Sequence, residues 1–195
     1  MTSKEKLLQL AAEGAAGKDW YRVANTVINE FCYDRDICPE KFVKILAVTS
    51  PQVSVQQNLH LAVGIAKFQY EPKLMQSIQT SLDRLRDAGF ALSAIKGPKT
   101  SRFARALLGD GDAVVLDTHM GYALKVGAGK LKNKSVQAEA EKRIKWVAKQ
   151  LGWEPAQAQA AIWMAQRARA GYADSYITRA VIERAYQRHR EHNPF

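Results

Sequence analysis

Apolar residues recur at spacings of three and four along almost the whole chain, and nearly every such run begins at a residue able to cap or start a helix. No stretch alternates apolar and polar residues as a half-buried strand does, so the chain is predicted to be all-α. Thr2 and Glu5 have the spacing of a capping box ahead of KLLQLAAEG, and Asp19 is placed to cap WYRVANTVINEF. Pro39 suits the first turn of a helix through EKFVKILAVT, Ser54 caps VQQNLHLAVGIAKF, and Pro72 opens a helix running to about Asp87. A short piece from about Ala88 to Ile95 follows. It leads through Gly97-Pro98 into the helix KTSRFARALLG, ended by Gly109, with Phe103, Ala104, Leu107 and Leu108 on one face. Ser135 and Pro155 open the next two helices, and a last one covers about Asp174 to His189.

Two of these helix starts carry opposite charges. Pro98 lacks an N–H and is pre-set for the first helical position, which puts Lys99 in the first turn, beside the positive end of the helix dipole. That field favours the free amine, a nucleophile suited to Schiff-base chemistry at a sugar or carbonyl carbon. The turn and helix start around it, with Lys96, Gly97, Thr100 and Ser101, offer backbone N–H groups to phosphate oxygens without regard to base sequence. Asp117 ends the apolar run AVVL, read as a buried extended lead-in, and is expected to cap the helix THMGYAL through the N–H of Met120 or His119. A capped carboxylate is also held ionised in a fixed direction, which suits the stabilisation of a developing cation.

The chain's 195 residues suffice for one globular core or for two small helical lobes sharing a cleft. Twenty-nine Lys and Arg against nineteen Asp and Glu leave a formal charge of +10, which suits a polyanionic partner, while four Trp and seven Tyr mark a packed protein. No run reaches the roughly 18 uninterrupted apolar residues of a membrane span, and the N-terminus has no long apolar core or cleavage site. The expected location is therefore cytoplasmic, and nucleoid-associated in a bacterium or phage. Cys32 and Cys38 suit neither a disulfide framework nor a four-thiolate metal site and read as ordinary thiols.

The segments IKGPKT and LDTHM resemble those of the helix-hairpin-helix DNA glycosylases of the endonuclease III type. In that family a hairpin of the form Leu-Pro-Gly-Val-Gly-Arg-Lys-Thr carries the catalytic lysine, and a Val-Asp-Thr-His segment carries the catalytic aspartate. Here Lys99 and Thr100 occupy the Lys-Thr positions, and Asp117, Thr118 and His119 the Asp-Thr-His positions, with the family's lysine-to-aspartate separation. FVKILAVTSPQVSVQQN is similar to the family's helix ending in Leu-Ser-Ala-Gln, which makes Gln52 the counterpart of the glutamine that fills the gap left by an extruded nucleotide.

The resemblance implies a two-lobed helical bundle, a single domain over residues 1–195 with its hairpin at about 88–108. It also implies a monomer that binds duplex DNA with one flipped nucleotide. Lys99 and Asp117 are then the catalytic residues of a DNA glycosylase with AP lyase activity, and no cofactor is needed. The N-terminal aromatics Trp20, Tyr21 and Phe31, together with His119, are candidates for the base pocket. Three features depart from the family pattern. Ile95 replaces the hairpin's first glycine and Lys96 its small apolar residue, the segment between Gln52 and Lys99 is shorter than in endonuclease III, and the four-cysteine iron–sulfur motif is absent.

Other features point to simpler roles. KVGAGKLKNKS lacks the glycine spacing of a phosphate loop and has Leu131 where Ser or Thr belongs, so Lys125, Lys130, Lys132 and Lys134 read as a basic loop near DNA. The four histidines have no metal-ligand spacing with nearby carboxylates, so no metal is expected, and Trp146 and Trp163 are expected to pack in the core. Two other functions use the same residues: a glycosylase scaffold that modifies or transfers a group to a base, and a DNA-binding module without catalysis.

Overall fold

The computed structural model describes residues 1–172 and 176–192, and among these it contains ten α-helices and no strand. They are α1 (Lys4–Glu13), α2 (Trp20–Asp34), α3 (Pro39–Thr49), α4 (Val55–Lys67), α5 (Gln76–Asp87), α6 (Pro98–Leu107), α7 (Thr118–Leu124), α8 (Lys134–Leu151), α9 (Pro155–Arg169) and α10 (Arg179–His192). The protein is therefore all-α. No helix among the described residues is long and apolar enough to cross a membrane. The chain divides into two compact units, unit 1 formed by Met1–Arg22 with Gly109–Ser175 and unit 2 by Val23–Leu108 with Tyr176–Phe195.

Unit 1 packs α1 and α7 on α9, with α8 against both α1 and α9. Its core is Leu7 and Leu10 from α1, Val114 and Leu116 from the extended lead-in, Met120 and Leu124 from α7, Ile144 and Val147 from α8, and Ala158, Ala161, Ile162 and Ala165 from α9. The alanines of α9 let α1 come close, and Gly14 completes the approach, because a Cβ there would lie 2.0 Å from the Ala161 carbonyl oxygen. The cap of α1 is Ser3, whose hydroxyl accepts from the Lys6 N–H, and not Thr2 as its spacing suggested. Thr2 is buried, with its hydroxyl donating to the Ala123 carbonyl and its N–H to the Leu124 carbonyl, so the end of α7 claims its polar groups. Likewise α8 is capped by Asn133 rather than opened by Ser135, which instead donates its N–H to the Asn133 carboxamide.

Unit 2 packs α3 against α4, α5 and α6, and α4 against α10. Phe31, Phe42, Ile45, Leu46, Leu59, Leu82, Leu85 and Leu107 have essentially no exposed surface. A buried polar pair crosses that core without loss, since Thr49 donates to the Asn58 carbonyl oxygen and the Asn58 amide donates to the Leu46 carbonyl. Pro72 does not open α5. The chain stays non-helical to Met75, and Glu71 in this stretch pairs with Arg86 at the far end of the helix. The piece from Ala88 to Ile95 contains only the single 3-10 turn Leu92–Ala94, reached through positive φ at Gly89 and Phe90. The last helix begins at Arg179; Asp174, where it was expected to start, lies outside the described residues.

Candidate functional site around Asp117

The run Ala113–Leu116 is buried and extended, and it delivers Asp117 to the start of α7 with an extended backbone. From there the carboxylate turns back over the helix, Oδ1 accepting from the Met120 N–H at 2.8 Å. This is the N-cap expected from the sequence. The second oxygen is also engaged, because Oδ2 accepts from the indole Nε1–H of Trp163 at 2.8 Å. Two N–H donors from different elements hold the carboxylate in one orientation.

The second donor comes from α9, whose Gln159, Trp163 and Arg167 are spaced four apart and so share one face of the helix. Gln159 is buried and accepts from the Tyr21 hydroxyl at 2.7 Å. Burial pushes the Tyr21 phenol well above its ordinary range, the Asp117 charge adds to this, and the Gln159 bond opposes both. Arg167 lays its guanidinium 4.8 Å from the centroids of both Trp163 and Tyr172, while its Nη1 stands 3.2 Å from His119 Nε2. Guanidinium only donates, so this contact requires Nε2 to accept and puts the proton of a neutral His119 on Nδ1. Burial lowers the Arg167 pKa, and the charge of Asp117 works against that lowering. His119 also meets Trp163, Tyr122 and Tyr172 edge to face, at 6.3, 6.3 and 5.2 Å.

The other predicted site residues fall as follows. Trp20 is buried and packs edge-on to Trp163 at 5.8 Å, so it supports the indole that holds Asp117. Phe31 is fully buried in unit 2 against Phe42 and Tyr186 and has no face to offer a base, which corrects its assignment to a pocket. Tyr21 and His119 are half-buried beside Asp117 in unit 1. Lys125, Lys130 and Lys132 are exposed on the same unit, Lys125 in the left-handed conformation that ends α7.

Lys99 belongs to unit 2, at the second position of α6. Gly97, at φ 93°, makes the turn, Pro98 occupies the first helical position, and the Thr100 hydroxyl donates to the Lys96 carbonyl at 2.8 Å. Ser101 donates its N–H to the Gly97 carbonyl, and the exposed Lys96 ammonium donates to the Ser93 carbonyl. Gln52 is exposed at φ 62° in the turn between α3 and α4. Among the described residues no group of three or more His, Cys, Asp and Glu side chains is placed to hold a metal ion.

Trp163 and Arg167 were missed as site residues because an aromatic on a helical face ordinarily reads as core. The available signal was that α9 is otherwise rich in alanine, so the large polar-tipped side chains at 159, 163 and 167 form a single stripe. No curated protein and no solved structure matches the chain significantly. A match extends over residues 10–170, which include Gln52, Lys99, Asp117, Trp163 and Arg167. The chain belongs to the family of unknown function DUF7178.

Proposed function

We propose that this protein is a DNA glycosylase with AP lyase activity, which extrudes one nucleotide from duplex DNA and removes its base. The observation that carries the reading is the Asp117 carboxylate, held at the start of α7 by the Met120 and Trp163 N–H groups within an Asp-Thr-His segment. An anion fixed in this way stabilises the positive charge that builds on a deoxyribose as its base departs, and it does so without reorganisation during the reaction. The resemblance of IKGPKT to the glycosylase hairpin adds the nucleophile, Lys99.

The Lys99 amine bonds the sugar C1′, and the C1′–N bond breaks with its electron pair leaving on the base, which takes up a proton. The nitrogen loses a proton, and the C1′–O4′ bond breaks with its electron pair leaving on O4′, which takes up a proton, so that the ring opens to a protonated imine. Removal of a C2′ proton then expels the 3′ phosphate by β-elimination. The base must leave the stack first, since C1′ is inaccessible in a paired duplex, and Gln52 at its exposed turn is the residue that fills the gap. The lysines at 96, 125, 130 and 132, with the net charge of +10, supply sequence-independent attraction to the phosphates.

Borohydride trapping on a panel of duplexes carrying damaged and modified bases tests the proposal. The expected result is a stable protein–DNA adduct with at least one duplex, together with release of the free base. Tight DNA binding with neither adduct nor released base across the panel sinks the proposal.

A further inference from the structure

We propose that Trp163 is the positioning residue of Asp117: its indole N–H sets the plane of the carboxylate, so that the anion faces one fixed direction while the helix cap is kept. The inference rests on the reading of Asp117 as the anion that stabilises the sugar cation. A capping aspartate needs only one oxygen for its helix, and that single hydrogen bond restrains the rotation of the planar carboxylate about the bond to its carboxyl carbon only loosely. Here the second oxygen accepts from Nε1 of Trp163 at 2.8 Å, and two donors in different directions remove that rotation.

The donor is itself held on several sides. Trp20 meets the indole edge-on at 5.8 Å and 65°, His119 meets it at 6.3 Å and 90°, and the Arg167 guanidinium stands 4.8 Å from its centroid. An indole used only to fill space needs none of this, because its N–H would be satisfied equally well by solvent at the edge of the core. Arg167 serves the same arrangement, covering the ring with a cation that offers no hydrogen-bond acceptor to compete with Asp117 for the indole N–H.

This geometry also changes what an asparagine at position 117 does. If the Asn oxygen keeps the cap on the Met120 N–H, its amide N–H₂ is left facing the indole N–H, donor against donor. Asp117→Asn therefore disturbs Trp163 as well as removing charge. In a double-mutant cycle, Trp163→Phe is expected to relieve part of the stability loss caused by Asp117→Asn.

The test has two arms. In a ¹H–¹⁵N spectrum of the full chain, Trp163→Phe identifies the Trp163 indole resonance by its disappearance, and Asp117→Asn is expected to shift that resonance more than those of the other three tryptophans. An indole signal that Asp117→Asn leaves in place overturns the inference, whatever the protein's activity. In the second arm, folded Trp163→Phe protein is expected to release base with kcat lowered roughly ten- to hundred-fold and KM for the duplex unchanged, as a misoriented catalytic group does. Equal losses in kcat and duplex affinity, or none, overturn it and assign Trp163 to the core. Wild-type protein that releases no base from any duplex overturns the reading of Asp117, and the inference falls with it.

Discussion

Asp117 and Lys99 both stand at the start of a helix, but the surroundings that define them are built in opposite ways. Asp117 in unit 1 is oriented by a tryptophan 46 positions further along the chain, and that tryptophan is braced by Trp20, His119 and Arg167. The turn leading into α6 in unit 2 carries short-range hydrogen bonds, from Thr100 to Lys96, Ser101 to Gly97 and Lys96 to Ser93, each spanning at most four positions. A carboxylate that must stabilise charge in one direction benefits from a tertiary frame, which does not reorganise during the reaction. In the proposed reaction Lys99 follows the sugar through bond making, ring opening and elimination, so its amine has to move while the carboxylate stays fixed.

The most decisive way to sharpen this contrast is to remove each charge in turn. Lys99→Ala is expected to abolish the borohydride adduct completely while leaving most of the DNA affinity, since one cation among many supplies only part of the electrostatic attraction. An adduct that persists in Lys99→Ala assigns the nucleophile to another lysine. Asp117→Asn is expected to slow base release by about 10²–10³-fold, the usual cost of losing a preorganised electrostatic group, with residual activity rather than none. Single-turnover kinetics separate the two, and unimpaired release by folded Asp117→Asn reduces Asp117 to a helix cap.

The same contrast should appear in stability. Gly14→Ala places a Cβ 2.0 Å from the Ala161 carbonyl, a backbone atom that cannot swing aside, and should cost roughly 3 kcal/mol as α1 is pushed from α9. Gly97→Ala meets only the Thr100 hydroxyl at 3.4 Å, but it forces a side chain into φ 93°, at a cost of about 1–2 kcal/mol. Urea unfolding of both variants checks the order, and a larger loss for Gly97→Ala breaks the distinction between a tertiary frame and a local turn.

A smaller effect concerns Tyr21. Its folded pKa is raised, chiefly by burial and then by Asp117, so its contribution to stability is full below the unfolded value of about 10 and is lost as pH rises through the folded value. Tyr21→Phe should cost about 1 kcal/mol at neutral pH through the lost bond to Gln159. That deficit should shrink above about pH 10, where the wild type alone loses the phenol's contribution. A deficit that is constant or grows across that range contradicts the raised pKa of the buried Tyr21 phenol. Smallest are the surface lysines: Ala at 125, 130 or 132 should each reduce the slope of log affinity against log salt by about 0.9. Unchanged slopes remove that loop from the DNA-binding surface.

Much of the fold was legible because helix signals are local. Capping boxes, first-turn prolines and three-and-four spacing depend on neighbours in the chain, and Pro39, Ser54, Pro98 and Pro155 all open helices where the sequence indicated. Two of the misplacements lie beside a contact with a distant residue, while Ser135 yields to its near neighbour Asn133. Thr2 has the better capping spacing but gives its hydroxyl to Ala123, leaving Ser3 to cap α1. Pro72 lies in a non-helical stretch tied by Glu71 to Arg86.

By itself, then, the sequence determined the helical class, Asp117 as the cap of α7 and Pro98 as the start of α6, since each follows from residues within one helical turn. Only the tertiary structure decided that Trp163 turns its N–H to Asp117, that Trp20 braces it and that Phe31 is lost to the core of unit 2. An aromatic side chain's periodicity says which face of a helix it occupies. What that face meets depends on how the helices pack, and the direction of a single N–H is set only when they have done so.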